Sequence, residues 1–116
     1  MNMIESRVGE TTVLAVSGAV DTLSAPAMTE RASALCDTGT HGILIDLDQV
    51  PYLTSAAFRS FIVIGRRAEQ CGGGMVLCGL NDLVRDLFEA SGLSGSFRIY
   101  QDQAAALAAI GQAGAA

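Results

Sequence analysis

Apolar residues along this chain come in short blocks whose periodicity changes from block to block. Met3 to Val8 is the first block. Gly9-Glu10 breaks it, and Thr11 to Ser17 follows with the unbroken run Val13-Leu14-Ala15-Val16. Two strands joined by a tight turn account for this pattern, the second of them buried. Gly18 ends the second strand. Asp21-Thr22-Leu23-Ser24 then offers several helix-capping residues, and Pro26 is tolerated in a first helical turn. Leu23, Ala27, Met28, Ala32, Leu35 and Cys36 follow at helical spacing. Beyond the loop glycines Gly39 and Gly42, Ile43-Leu44-Ile45-Asp46-Leu47 reads as a short buried strand, apolar without alternation as parallel strands tend to be.

Pro51 stops that strand, and Thr54 is in place to cap a helix. From Ser55 onward Phe58, Phe61, Ile62, Gly65 and Ala68 fall on one predicted helical face. Arg66 and Arg67 lie near its end, where the helix dipole favours cations. Gly72-Gly73-Gly74 leads into a strand at Met75 to Cys78. Leu80, Leu83, Val84, Leu87 and Phe88 predict an amphipathic helix that Gly92 can close. Phe97 to Tyr100 is a last short strand, and Asp102 can cap a final helix carrying Ala105, Leu107 and Ile110. Strands alternating with helices predict an α/β fold. Its sheet is mixed and mostly parallel, with an N-terminal antiparallel strand pair and about four helices. A length of 116 residues fits one domain, 1–116, whose Ala/Gly-rich end is expected to fray from about 111.

Composition narrows the function. Half of the chain is hydrophobic, so a real core is available, while only 16% is charged. All seven basic residues are arginines and the net charge is −5. With no basic run, direct binding to nucleic acid has no electrostatic footprint. The lack of lysine removes Schiff-base chemistry and the lysine of a phosphate-binding P-loop. The three cysteines, Cys36, Cys71 and Cys78, form no CxxC pair, and with the single His41 they give no zinc spacing. They are expected to be reduced, buried or half-buried thiols. No apolar run is long enough to span a bilayer and no signal peptide precedes the domain, so a cytoplasmic protein is expected.

Candidate catalytic groups are few. The glycine triplet follows a helix and opens a strand, the reverse of a dinucleotide-binding loop, so it reads as a flexible turn. His41 precedes a strand and is expected to be a solvated loop residue rather than a catalytic base. Asp46 and Asp48, two apart at the end of a strand, would point the same way. Two acids without a third ligand make a thin case for a metal. Ser55 differs from these. The first N–H groups of a helix lack partners and the dipole there favours negative charge, so a phosphate on Ser55 would be held. The same residue also fits a plain capping role shared with Thr54, and the residues alone leave both readings open.

Read together, these segments resemble STAS domains, specifically the stand-alone bacterial anti-sigma factor antagonists. The resemblance runs from about Val13 to Ala109. Val16-Ser17-Gly18-Ala19-Val20-Asp21 is similar to the family's strand ending in Gly and Asp, and Ile45-Asp46-Leu47 to its central strand. Gly73 to Gly79 and Val84 to Leu93 match the later strand and helix. Tyr52-Leu53-Thr54-Ser55-Ala56-Ala57-Phe58-Arg59 looks like the phosphorylation motif, whose common forms read D-S-S-G-L or Y-I-S-S-A-G-L-R. The match puts the phosphorylatable serine on Ser55, with Thr54 as the alternative acceptor. Thr54 departs from the Asp of the first form, Ala57 replaces the family's Gly, and Phe58 replaces its Leu.

The resemblance implies a switch and no catalytic residue, cofactor or metal in the chain itself. The unphosphorylated protein would bind an anti-sigma factor that is a serine kinase with a histidine-kinase-like ATP fold, and so release a sigma factor. Phosphorylation of Ser55 would end the contact, and a PP2C-type serine phosphatase would restore it. The expected partner surface comprises Asp21, Thr22, Leu23, Tyr52, Leu53, Thr54, Ser55 and Arg59, on a chain expected to be monomeric. Phe58 is expected in the core. Two other readings remain. One is a constitutive STAS partner subunit, for example of a lipid-transport ATPase, with Ser55 unmodified. The other is a small-ligand or nucleotide binder built on Asp46 and Asp48.

Overall fold

The computed structural model describes residues 1–115, and the side chains of all of these except Ser94 and 111–115. The order is β1 (Asn2–Val8), β2 (Thr11–Ser17), α1 (Ala25–Leu35), β3 (Gly42–Gln49), α2 (Ser55–Gln70), β4 (Met75–Cys78), α3 (Asp82–Ser91), β5 (Arg98–Tyr100) and α4 (Gln103–Ala115). One five-stranded sheet has the order β1-β2-β3-β4-β5. β1 runs antiparallel to β2, and the other pairings are parallel. This is the α/β arrangement expected from the sequence, with four α-helices among the described residues. The expected fraying falls on a stretch whose side chains, with all of Ala116, lie outside the described residues.

The hairpin closes through Gly9, whose φ of 61° suits the first position of a two-residue turn. The sheet is covered unequally. Leu14 and Val16 of β2, Ile43, Ile45 and Leu47 of β3 and Leu77 of β4 face the main core with α1, α2 and α3. Val13, Leu44, Val76 and Cys78 point the other way, onto Ala106 and Ile110 of α4. Because both faces of the central strands are covered, β3 reads as continuous apolar sequence instead of an alternation. The four phenylalanines of the chain gather in the main core: Phe88 meets Phe58 edge-on at 4.8 Å and Phe97 at 5.7 Å, and stacks on Phe61 at 5.8 Å.

Helix faces differ from the sequence expectation in detail. On α2 the buried positions are Ala57, Phe58, Ser60, Phe61, Ile64 and Ala68, so Ile64 and not Ile62 lies at the centre of the face. On α4 Ala106 is buried in place of Ala105. α1 begins at Ala25, so Leu23 belongs to the preceding turn and not to the helical stripe. The triplet Gly72–Gly74 is the α2-to-β4 turn the sequence suggested. A Cβ on Gly73 would lie 2.2 Å from the His41 carbonyl oxygen, so glycine there is demanded by close backbone approach.

Candidate functional site

Two loops leave the same end of the sheet, one after β2 and one after β3. Because these strands are parallel neighbours, both loops emerge side by side at their carboxyl ends. A short parallel bridge joins Val20 to Leu53. The Val20 N–H donates to the Tyr52 carbonyl at 3.3 Å, and the Thr54 N–H donates to the Val20 carbonyl at 3.0 Å. The chain segments holding Asp21, Thr22 and Leu23 are thereby fixed beside those holding Tyr52, Thr54 and Ser55.

Ser55 is the first residue of α2 and is exposed. Thr54 occupies the N-cap position in an extended conformation (φ −108°, ψ 176°), yet no side chain caps this helix start. The expected capping by Thr54 does not occur, because its Oγ1 lies 3.5 Å from the Val20 carbonyl instead. The Ala57 N–H bonds the Thr54 carbonyl at 3.0 Å. The start of a sixteen-residue helix therefore faces outward, and among the described residues no side-chain acceptor caps its dipole end. α3 supplies a contrast: there Asn81 Oδ1 accepts the Val84 N–H at 2.8 Å, an ordinary cap.

The Asp21 loop is internally braced. Asp21 Oδ1 accepts the N–H groups of Leu23 and Ser24, each at 3.0 Å, and the Ser24 hydroxyl at 3.1 Å. Ser24 Oγ in turn accepts the Asp21 N–H at 2.9 Å. These bonds, first those from Ser24, hold the Asp21 carboxyl below the ordinary range, so it is the charged form that organises the turn. The turn thrusts Leu23 into solvent at 91% exposure, and Tyr52 on the bridged loop is 46% exposed. Leu53 does not join them. Its side chain is 4% exposed and packs in the core, so it reaches this surface only through its backbone. Phe58 is buried, as expected. Arg59, exposed and one helical turn beyond Ser55, lines a groove of about 480 Å³ between α1 and α2 with Thr22, Pro26, Glu30 and Val63.

Sequence reasoning passed over Asn81. While its oxygen caps α3, its Nδ2 donates to the Val50 carbonyl at 3.1 Å. It thus ties the loop that ends at Ser55 to the end of β4. The only sequence signal was an Asn standing just before an amphipathic run.

The other candidates do not converge. Asp46 Oδ1 accepts the Asp48 N–H at 2.9 Å and Oδ2 accepts from Gln103 Nε2 at 2.5 Å, so that carboxylate is engaged in local bonds. Among the described residues no group of three or more His, Cys, Asp or Glu side chains could hold a metal. Cys36 and Cys71 are half-buried and Cys78 is buried. Burial, with the Asp46 carboxylate next, pushes the Cys78 thiol up to about 12; burial and the neighbouring Cys71 do the same for Cys36. These are thiols held protonated, poor nucleophiles at neutral pH. No helix among the described residues is long and apolar enough to cross a membrane.

Residues 3–106 match the STAS domain family. BtrV of Bordetella bronchiseptica, assigned as an anti-sigma factor antagonist, is 28% identical over 109 residues, 94% of each chain. A solved Thermotoga maritima protein with the same assignment superposes with a TM-score of 0.85 at 16% identity, covering 93% of both chains. The anti-sigma factor antagonist SpoIIAA in its unphosphorylated form superposes at 0.78 with 19% identity, over 95% of this chain and 97% of its own. At such identities the two structures speak for the fold. The match to the family spans most of the length, and the chain belongs to the STAS domain family.

Proposed function

We propose that this chain is an anti-sigma factor antagonist whose binding is switched by phosphorylation of Ser55. In the unphosphorylated state it binds an anti-sigma factor that is also a serine kinase of histidine-kinase-like ATP fold, and a sigma factor is released. Phosphorylation ends the contact, and a PP2C-type serine phosphatase resets it. The chain works in the cytoplasm and supplies no catalytic group.

The observation that carries this reading is the exposed Ser55 at an uncapped helix start, in a pair of bridged loops that also expose Leu23 and Tyr52. An apolar partner surface would rest on those two side chains. A phosphate on Ser55 brings about −1.5 to −2 charges into the middle of that contact and finds free helix N–H donors to hold it there. Arg59, at the i+4 position, adds a cation on the same side of the helix. Thr54, half-buried and turned toward Val20, is the poorer acceptor. The departures at Ala57 and Phe58 both face the core, so neither alters the surface offered to a kinase. That favours the switch over a constitutive partner subunit. BtrV bears the same assignment, and SpoIIAA has been solved in a phosphorylated as well as an unphosphorylated form.

The test is the intact mass of the protein after incubation with its cognate anti-sigma kinase and ATP, alongside Ser55→Ala and Thr54→Ala. One phosphoryl group gained by the parent and by Thr54→Ala, and none by Ser55→Ala, is expected. A stable complex with the kinase but no mass gain would replace the switch with a constitutive subunit. Gain lost only in Thr54→Ala would move the acceptor by one residue.

A further inference from the structure

The two edges of the sheet are treated differently. β5, at one edge, has three residues and is too short to offer much of a ladder. β1, at the other, has seven residues in unbroken register with β2. It carries no proline or bulge to keep the edge from pairing, and its two charged residues, Glu5 and Arg7, are of opposite sign. Its Ile4 is 70% exposed and its Val8 49%. Ile4 and Val8 lie on the α4 side of the sheet, where no element among the described residues covers β1, whereas Glu5 and Arg7 lie on the α1 side.

Which backbone groups β1 offers follows from its hairpin. The two-residue turn makes Val8 and Thr11 a hydrogen-bonded pair, so the even-numbered residues of β1 spend their N–H and C=O groups on β2. Met3, Glu5 and Arg7 turn theirs outward. The side chains of β1 are self-complementary about Ser6. An antiparallel copy centred there sets Glu5 opposite the second copy's Arg7 and Arg7 opposite its Glu5. In the same register Ile4 meets the second copy's Val8, and Val8 its Ile4. The charged pairs fall on the outward-facing backbone positions, where ladder bonds can be exchanged. The apolar pairs fall on the positions between, where side chains approach more closely. A shift by one residue would break all of these matches together.

From this coincidence of a free ladder, two charge pairs and two apolar pairs, we infer that β1 is a homodimerisation edge, joining two copies antiparallel about Ser6 into one continuous ten-stranded sheet. The contact is small beside the roughly 1,600 Å² of a standard stable interface, so the dimer is weak and forms at high concentration. Arg7 already reaches the Gly39 carbonyl and Glu5 already pairs with Arg31 on the same chain. Each intermolecular pair therefore joins the second copy's Arg7 to the Glu5–Arg31 ion pair across the two-fold axis. The inference concerns a surface separate from Ser55 and stands whether or not the switch is correct.

Sedimentation equilibrium over a concentration series at low salt tests it, with Glu5→Arg and Arg7→Glu as variants. The parent is expected to show a reversible monomer–dimer equilibrium. Each single reversal sets like charges opposite each other twice and is expected to weaken dimerisation by about tenfold or more. An equimolar mixture of the two variants restores opposite charges in both places and is expected to recover parental dimerisation as a heterodimer. Concentration-dependent protection of the Met3, Glu5 and Arg7 amides against hydrogen exchange in the parent gives a readout that needs no variant. A parent monomeric at millimolar concentration would overturn the inference. So would a dimer indifferent to both reversals, a mixture that stays monomeric, or amides with no concentration-dependent protection.

Discussion

Asn81 spans two structural jobs with one amide: its oxygen accepts the Val84 N–H at 2.8 Å and its nitrogen donates to the Val50 carbonyl at 3.1 Å. The first bond starts α3, and the second pins the loop that delivers Ser55. Asn81→Ala is expected to lose about 1–2 kcal/mol of stability in urea unfolding. Asn81→Asp keeps the acceptor and loses the donor, so it is expected to lose less stability. Hydrogen exchange in the 50–54 segment should nevertheless speed up in both variants. Unchanged exchange would show that other bonds hold the loop.

Leu23 and Leu53 separate binding from folding. Leu23 stands almost wholly in solvent, so Leu23→Ser is expected to leave the unfolding free energy within about 0.5 kcal/mol of the parent. As a projecting apolar contact it is expected to weaken the complex with the anti-sigma factor by about tenfold or more. Leu53→Ala should behave in the opposite sense, costing about 2–5 kcal/mol of stability because it empties a core site. Calorimetric titration together with urea curves on both variants checks the pair. A Leu23→Ser protein that binds as the parent does would remove that residue from the partner surface.

The two leucines also mark how far the sequence could be read. The strand–helix order, the antiparallel opening and the buried parallel strands were legible because blocks such as Val13–Val16 and Ile43–Ile45 carry the pattern themselves. The choice between Leu23 and Leu53 was not legible. Both are leucines in polar loops, and only the Val20–Leu53 bridge, a contact 33 residues apart in sequence, turns one inward. The face of α2 was misplaced toward Ile62 because the chain there is nearly all apolar, Phe61-Ile62-Val63-Ile64, and periodicity has little contrast to work with. Ser55 is singled out by its motif. The absence of a cap at Thr54 depends on a side-chain torsion that no spacing encodes.

Alkaline pH should weaken the fold through the buried thiols. Cys36 and Cys78 ionise near 9 in an unfolded chain and near 12 in the folded one. The protonated form is thus favoured by folding. Its contribution is complete below pH 9 and is lost as pH rises through the window from about 9 to about 12. Urea midpoints in the presence of reductant are expected to fall across that window. Cys78→Ala should fall less steeply than the parent, whatever its lower starting stability. Parallel curves would mean that Cys78 ionises alike in both states.

The charge on Ser55 is the centre of this account, and the affinity of the anti-sigma factor for the protein before and after that charge is added tests it most directly. The measurement is calorimetric titration of the anti-sigma factor with unphosphorylated protein, with protein phosphorylated on Ser55, and with Ser55→Ala. Phosphorylation is expected to weaken binding by about a hundredfold, close to 2.7 kcal/mol, while Ser55→Ala binds like the unphosphorylated parent. Equal affinity of the phosphorylated and unphosphorylated proteins would contradict the account.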